Sequence, residues 1–170
     1  TPYSTTAMSA AEKFTAPSMH HIFGTDNFGR DIFSRVMQGL GTTLVISTSV
    51  VLFSTVAGVL LGAFTGYFGG ILDEILMRIT DAVNGFPSIL LTLVIISLLG
   101  KGRQNVIIAL GIVFIPSFVR IVRGEFLRLR DADYIKRARL MGVSRLRILF
   151  VHILPNIFSV LLVSVMIGFN

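Results

Sequence analysis

Residues 36–72 carry no charged side chain. A run of that kind has few possible homes. Roughly 20 apolar residues cross the ~30 Å hydrocarbon core of a bilayer, and residues 42–67 meet that length. A spanning segment has no water to satisfy its backbone, so it is expected to be a helix. Composition agrees, with 53% of residues hydrophobic and 14% charged, against about 25% charged in soluble domains. The expected fold class is an all-α integral membrane protein.

Gly58, Gly62 and Gly66 recur every fourth residue in this run, with Ala63 adjacent. Small residues at that spacing let a second helix approach closely. A packing face is therefore expected, lipid-facing filler being the alternative because glycine is frequent in membrane helices. Gly69 and Gly70 end the run in a turn. Three more spans are expected at about 75–99, 105–122 and 148–170. Gly85 and Pro87 should kink the second, Gly111 and Pro116 should loosen the third, and Pro155 should break or bend the last. The second begins with Asp73, Glu74, Arg78 and Asp81. Glu74 with Arg78, and Arg78 with Asp81, stand at spacings that pair along one helix face. At membrane depth Asp73, Arg78 and Asp81 would face a wet pathway; at the interface they are simply solvated.

The positive charge is concentrated in one place. Residues 120–147 hold nine of the fifteen Lys and Arg and three of the nine acids, so they carry the entire net charge of +6. A basic stretch between apolar runs fits the positive-inside rule better than a nucleic-acid surface. It is expected to be a cytoplasmic loop, at 124–147, that a soluble partner grips. The 101–103 loop then lies outside, the 69–74 turn inside and the N-terminal segment outside. Residues 1–38 form an extracytoplasmic segment and the approach to the first span, and 39–170 form the membrane core. In the basic loop, Asp131 is the expected N-cap, Asp133 suits the first turn, and Gly142 suits the residue just past a helix end. Tyr134, Ile135, Ala138 and Met141 make an apolar stripe, with Lys136, Arg137 and Arg139 off it. A short amphipathic helix over 132–141 follows, and Ser144 can cap the next.

Residues 1–18 lack the basic start and apolar core of a signal peptide. There is no initiator Met, and the chain stops inside an apolar run, so it reads as a piece of a longer membrane protein. Residues 32–38 are expected to form a short helix after Asp31. The chain has no cysteine, which excludes disulfides and cysteine sites. Gly24 to Asp31 lacks the closing Gly-Lys-Ser/Thr of a phosphate loop. His20 and His21 are adjacent rather than four apart, so a surface role is expected rather than a metal site. His152, alone in an apolar run, is expected to be buried and hydrogen-bonded. No catalytic constellation stands out, and no enzymatic site, metal or cofactor is expected on this chain.

Ala138, then Gly142, then His152-Ile153-Leu154-Pro155-Asn156 resemble the "EAA" loop of bacterial ABC importer permeases. That pattern is Glu-Ala-Ala, three residues, Gly, and a Leu-Pro whose proline is thirteen residues on, as Pro155 is from Gly142. The Glu-Ala positions are Lys136 and Arg137 here. Independently, residues 21–35, HIFGTDNFGRDIFSR, resemble the H-x-L-G-T-D-x-x-G-R-D-x-x-S-R signature of the peptide/nickel subfamily, with Phe23 for Leu. Its core here is Gly24, Thr25, Asp26, Gly29, Arg30 and Asp31. Gly66-Tyr67-Phe68-Gly69-Gly70, Leu76-Met77-Arg78-Ile79, Phe86-Pro87 and Val122-Arg123-Gly124 fall in the same order. The resemblance covers nearly everything from His21 onward and is to the second permease of dipeptide and oligopeptide importers.

The resemblance implies a type I permease bundle in a bacterial cytoplasmic membrane, about four of the usual six spans being present, with a short cytoplasmic coupling helix. It implies an ATPase-docking loop at Tyr134, Ile135, Lys136, Arg137, Ala138, Met141 and Gly142. His152, Leu154 and Pro155 would lead back into the membrane. Implied partners are ABC ATPase subunits carrying ATP and Mg, a second related permease and an extracytoplasmic solute-binding protein. Peptides are the implied cargo, nickel or a metal chelate the close alternative. A secondary transporter using Asp73, Glu74, Asp81 and His152 is a different class.

Overall fold

Helix α1 runs Ile32–Phe68, without a break between the polar start and the apolar run. The expected short helix at 32–38 is therefore the first two turns of a long one. The structure is a computed structural model that describes residues 2–169. Six further helices follow among the described residues: α2 Gly70–Asn84, α3 Ser88–Leu99, α4 Arg103–Arg130, α5 Asp133–Leu140, α6 Arg145–Arg147 and α7 Phe158–Gly168. Between α6 and α7 lie a π-helical segment, Ile148–Ile153, and a tight turn, Leu154–Ile157. Among the described residues there is no strand.

Three helical stretches are long and apolar enough to cross a membrane, Ile32–Phe68, Arg103–Arg130 and Arg145–Gly168, or four with the bent α2–α3 pair. The 37 residues of α1 extend about 55 Å, well beyond a ~30 Å hydrocarbon core, so part of the helix stands outside it. The bend between α2 and α3 is 95°, a corner rather than the expected kink. Pro87 lacks an N–H and disfavours helix in the residue before it, so α2 stops at Asn84 and α3 starts afresh. Pro155 acts differently. Its missing donor and its ring's clash with the preceding turn are absorbed by the wide π-helical segment just ahead. The stretch bends without ending.

The chain forms two compact units, residues 1–46 and 47–170. In the second, α1 lies directly on α4. An added Cβ would fall 2.3 Å from the Phe118 Cβ at Gly58, 2.7 Å from the Val119 carbonyl oxygen at Gly62, and 2.6 Å from the Phe126 Cβ at Gly66. The small-residue row is thus a helix-packing face. Below it sits the core, where Ala63 and Tyr67 of α1 meet Val122 and Phe126 of α4, Ile135 of α5, and Ile148, Leu149, Ile153 and Ile157 of the closing stretch.

In the first unit, the backbone folds around Asp26 and Asp31. Gly29 (φ +72°) sits so tightly that a Cβ would lie 1.9 Å from the Ser9 carbonyl oxygen. The Thr25 hydroxyl accepts the Thr15 N–H at 2.8 Å and donates to the Glu12 carbonyl. These bonds tie the 9–15 segment to the signature turn.

Candidate functional site

The basic stretch is mostly helix and is pinned from beneath. Helix α4 continues through Arg120, Arg123 and Arg128 to Arg130, so its last turns belong to the expected loop. Asp131 closes α4 instead of capping α5, and Ala132 takes the N-cap position with no side-chain cap. The reason is reach: α4 and α5 are separated by only two residues, and the Ala132 N–H is used by the Leu129 carbonyl. Ser144 does precede α6, but its hydroxyl makes no cap.

The end of α5 is a Schellman motif. The Gly142 N–H donates to the Arg139 carbonyl at 3.0 Å and the Val143 N–H to the Ala138 carbonyl at 3.1 Å. The motif needs a left-handed residue, and Gly142 has φ +79°. The chain turns there from α5 into α6.

The apolar stripe divides in two. Ile135 is 0% exposed inside the core and Ala138 is partly buried against it. Both pack on the chain's own core, since the 3.6-residue period that makes a stripe does not distinguish a face that covers this chain from one that meets another protein. What α5 and the residue after it present outward is Asp133, Tyr134, Lys136, Arg137, Arg139, Leu140 and Met141, with Leu140 and Met141 88% and 81% exposed. The Asn156 amide donates to the Tyr134 hydroxyl at 3.4 Å. Leu154 is partly buried on the core, Pro155 is exposed and His152 is half-buried rather than buried, its carbonyl accepting the Asn156 amide at 2.6 Å.

Two of the three pathway-charge residues, Asp73 and Asp81, find partners on α4. Asp73 receives both Nε and Nη2 of Arg123, at 2.5 and 2.7 Å. Asp81 pairs with Arg120 at 2.8 Å, not with Arg78, which pairs with Glu74 at 3.3 Å. A bidentate Arg–carboxylate pair is both stronger and more directional than a single bond, and Asp73 is the better covered, at 14% side-chain exposure against 68% for Asp81. The pairing of Arg120 and Arg123 with α2 escaped the sequence reading, which looked for partners along one helix. The available signal was two arginines three apart in an apolar helix, where a charge calls for a partner.

In the N-terminal unit the signature residues hold one another. The Asp26 carboxylate accepts the Phe28 and Arg30 N–H groups, at 2.8 and 3.0 Å, and the Arg30 Nε at 2.8 Å. Burial pushes its pKa up, but these backbone and guanidinium bonds outweigh it and hold the carboxyl below its ordinary value. Asp31 is buried; its carboxylate accepts the Ser34 N–H at 2.8 Å, capping α1, and bonds His21 Nδ1 at 2.9 Å. Burial again raises its pKa, and the His21 and Ser34 bonds bring it below the ordinary value. His21 is therefore buried, not a surface residue, while His20 is exposed. Among the described residues no three His, Cys, Asp or Glu side chains gather as a metal site.

Such a bundle, with helices long and apolar enough to cross a membrane and an ordered basic turn, is that of a multi-pass membrane protein. Residues 58–170 match the family described as "Binding-protein-dependent transport system inner membrane component", and the chain belongs to it. It is 39% identical over 160 residues to the dipeptide transport system permease protein DppC of Alkalihalophilus pseudofirmus, covering 94% of this chain and 53% of that one. It is 42% identical to the glutathione transport system permease protein GsiD of Pectobacterium atrosepticum, over 91% and 52% of the two chains. It is 36% identical to DppC of Haemophilus influenzae, over 88% and 51%. The chain spans about half the length of the curated relatives it matches.

Proposed function

We propose that this chain forms part of the membrane pathway of an ATP-driven importer that carries dipeptides, short oligopeptides or glutathione-like peptides into the cytoplasm by alternating access. The names of its relatives support the cargo. The observation that carries the mechanism is the construction of α5: Ile135 rooted in the core and a basic-apolar crown above it. A docking element must be rigid to pass on motion, and its root ties α5 to α1, α4 and the closing stretch at once.

The dock in this reading is Tyr134, Lys136, Arg137, Leu140 and Met141, with Gly142 setting the turn. The partner is a separate ATPase subunit that holds ATP and Mg; this chain itself carries no cofactor. Lys and Arg steer encounter, while the exposed Leu140 and Met141 supply buried contact. A related second permease would complete the pathway, and a solute-binding protein would deliver cargo.

The test is capture of the cognate ATPase by the full-length permease. Leu140→Asp with Met141→Asp should reduce capture at least tenfold, the loss of about 1.4 kcal/mol or more of interface, and abolish peptide uptake by the whole complex. Unchanged capture would place the dock elsewhere. The sidedness has its own check. Helix α4 is about 42 Å long, so tags at residues 101–103 and 131–133 should be labelled from opposite faces of the membrane. Same-face labelling would overturn the topology.

A further inference from the structure

The aromatic end of α1 and the basic turn line an open cleft of about 450 Å³, formed by Tyr67, Phe68, Arg139, Val143 and Arg145. Its charge is of one sign. No carboxylate lines it, and neither Arg139 nor Arg145 forms an ion pair among the described residues. The Arg139 guanidinium stands 5.4 Å from the centre of the Tyr67 ring, a cation–π contact that holds it at the wall.

The surroundings say where this cleft lies. Tyr67 and Phe68 are the last two residues of the longest apolar helix. Phe68 stacks on Phe64 and meets Tyr67 edge-on, both at 5.2 Å. Tyrosine at the end of a spanning helix suits the headgroup level of the bilayer, where Tyr and Trp are enriched. From there back along α1 run exposed apolar side chains, Leu60, Leu61 and Phe64.

We infer that this cleft binds the phosphate of an anionic phospholipid, its acyl chains lying along α1. Arginine forks match phosphate oxygens in pairs, and basic pockets between membrane helices on the positively charged side are suited to such headgroups. The inference needs only that the chain is a membrane protein, so it stands or falls apart from the importer reading.

The test uses the full-length permease in detergent, titrated with phosphatidylglycerol, phosphatidylcholine or inorganic phosphate, bound lipid being counted by native mass spectrometry. Phosphatidylglycerol should be retained over phosphatidylcholine. Arg139→Gln with Arg145→Gln should weaken that retention roughly thirtyfold, from about a factor of five for each cation. Arg139→Lys with Arg145→Lys keeps both charges but not the forks, so it should weaken retention by less than the Gln pair; where the Gln pair melts early this pair carries the test, and no loss in it overturns the proposal. Equal retention of the two lipids, or no loss in the Gln pair, overturns the proposal. So does an equal loss from Arg147→Gln, a neighbouring cation outside the cleft, which would show general surface charge. Displacement by millimolar inorganic phosphate would reassign the cleft to the free anion, and displacement by the ATPase would reassign it to a protein interface.

Discussion

Two carboxylate networks in this chain are built in opposite ways. In the N-terminal unit Asp26 and Asp31 bond almost wholly to groups within ten residues of themselves: Phe28, Arg30, Ser34 and His21. In the membrane unit Asp73 and Asp81 reach arginines 50 and 39 residues away. The first is a local knot, in which turn geometry brings the donors in. The second is a pair of cross-ties, formed only because α2 comes to lie beside α4. A local network should fail locally and tolerate little change in its glycines. A cross-tie should yield to paired changes on two helices.

The sharpest way to break this contrast is Gly29→Ala. A Cβ there would meet the Ser9 carbonyl oxygen, and φ +72° is strained for alanine. Left-handed backbone and overpacking together should cost on the order of 3 kcal/mol. Amide exchange over residues 9–31 should accelerate by about a hundredfold or more, with residues 103–130 unchanged. Spread of the effect into α4 would show that the knot is not local.

Next in size is Asp31→Asn. It weakens the cap on α1 and the bond to His21, for about 2 kcal/mol. The same carboxyl gives a pH signature. Its pKa is depressed in the folded chain, so its contribution is fully present above the ordinary value of 3.8 and fades as pH falls below it. Exchange protection of the signature turn should therefore drop in that acid range, and Asp31→Asn should flatten the drop.

The cross-ties should give a similar effect at Asp73 and less at Asp81. Asp73→Asn should cost about 1–3 kcal/mol in thermal unfolding of the full-length permease, mostly through the arginine left without its bidentate partner. Asp73→Arg combined with Arg123→Asp should recover a good part of what either reversal loses, as measured by a double-mutant cycle. Absence of any coupling would remove the cross-tie from the account. Asp81→Asn should cost under about 1 kcal/mol, because both partners are exposed.

The same division explains what could be read in advance. The glycine row of α1 was legible because helical spacing alone puts Gly58, Gly62 and Gly66 on one face. The Gly142 turn was legible because its left-handed backbone is a local demand. The extent of α4 was not, since an arginine-rich segment looks the same as a loop or as the last turns of a helix. The facing of Ile135 was not either. The pairing of Asp81 went wrong because the i, i+3 rule weighs one helix and not its neighbour.

By itself the sequence determined the apolar helices, a distortion at Pro87 and at Pro155, the concentration of charge at one turn and the Gly142 turn. Each follows from local chemistry: hydropathy over a span's length, the missing proline donor, the charges tolerated between apolar runs, and the left-handed backbone that glycine takes readily. The tertiary structure alone decided which arginines answer Asp73 and Asp81. It also decided that Ile135 roots α5, and that Tyr67 meets Arg139 across a cleft. Those depend on which helix faces come to rest together, and that is fixed by the packing of the whole bundle, not by spacing along one segment.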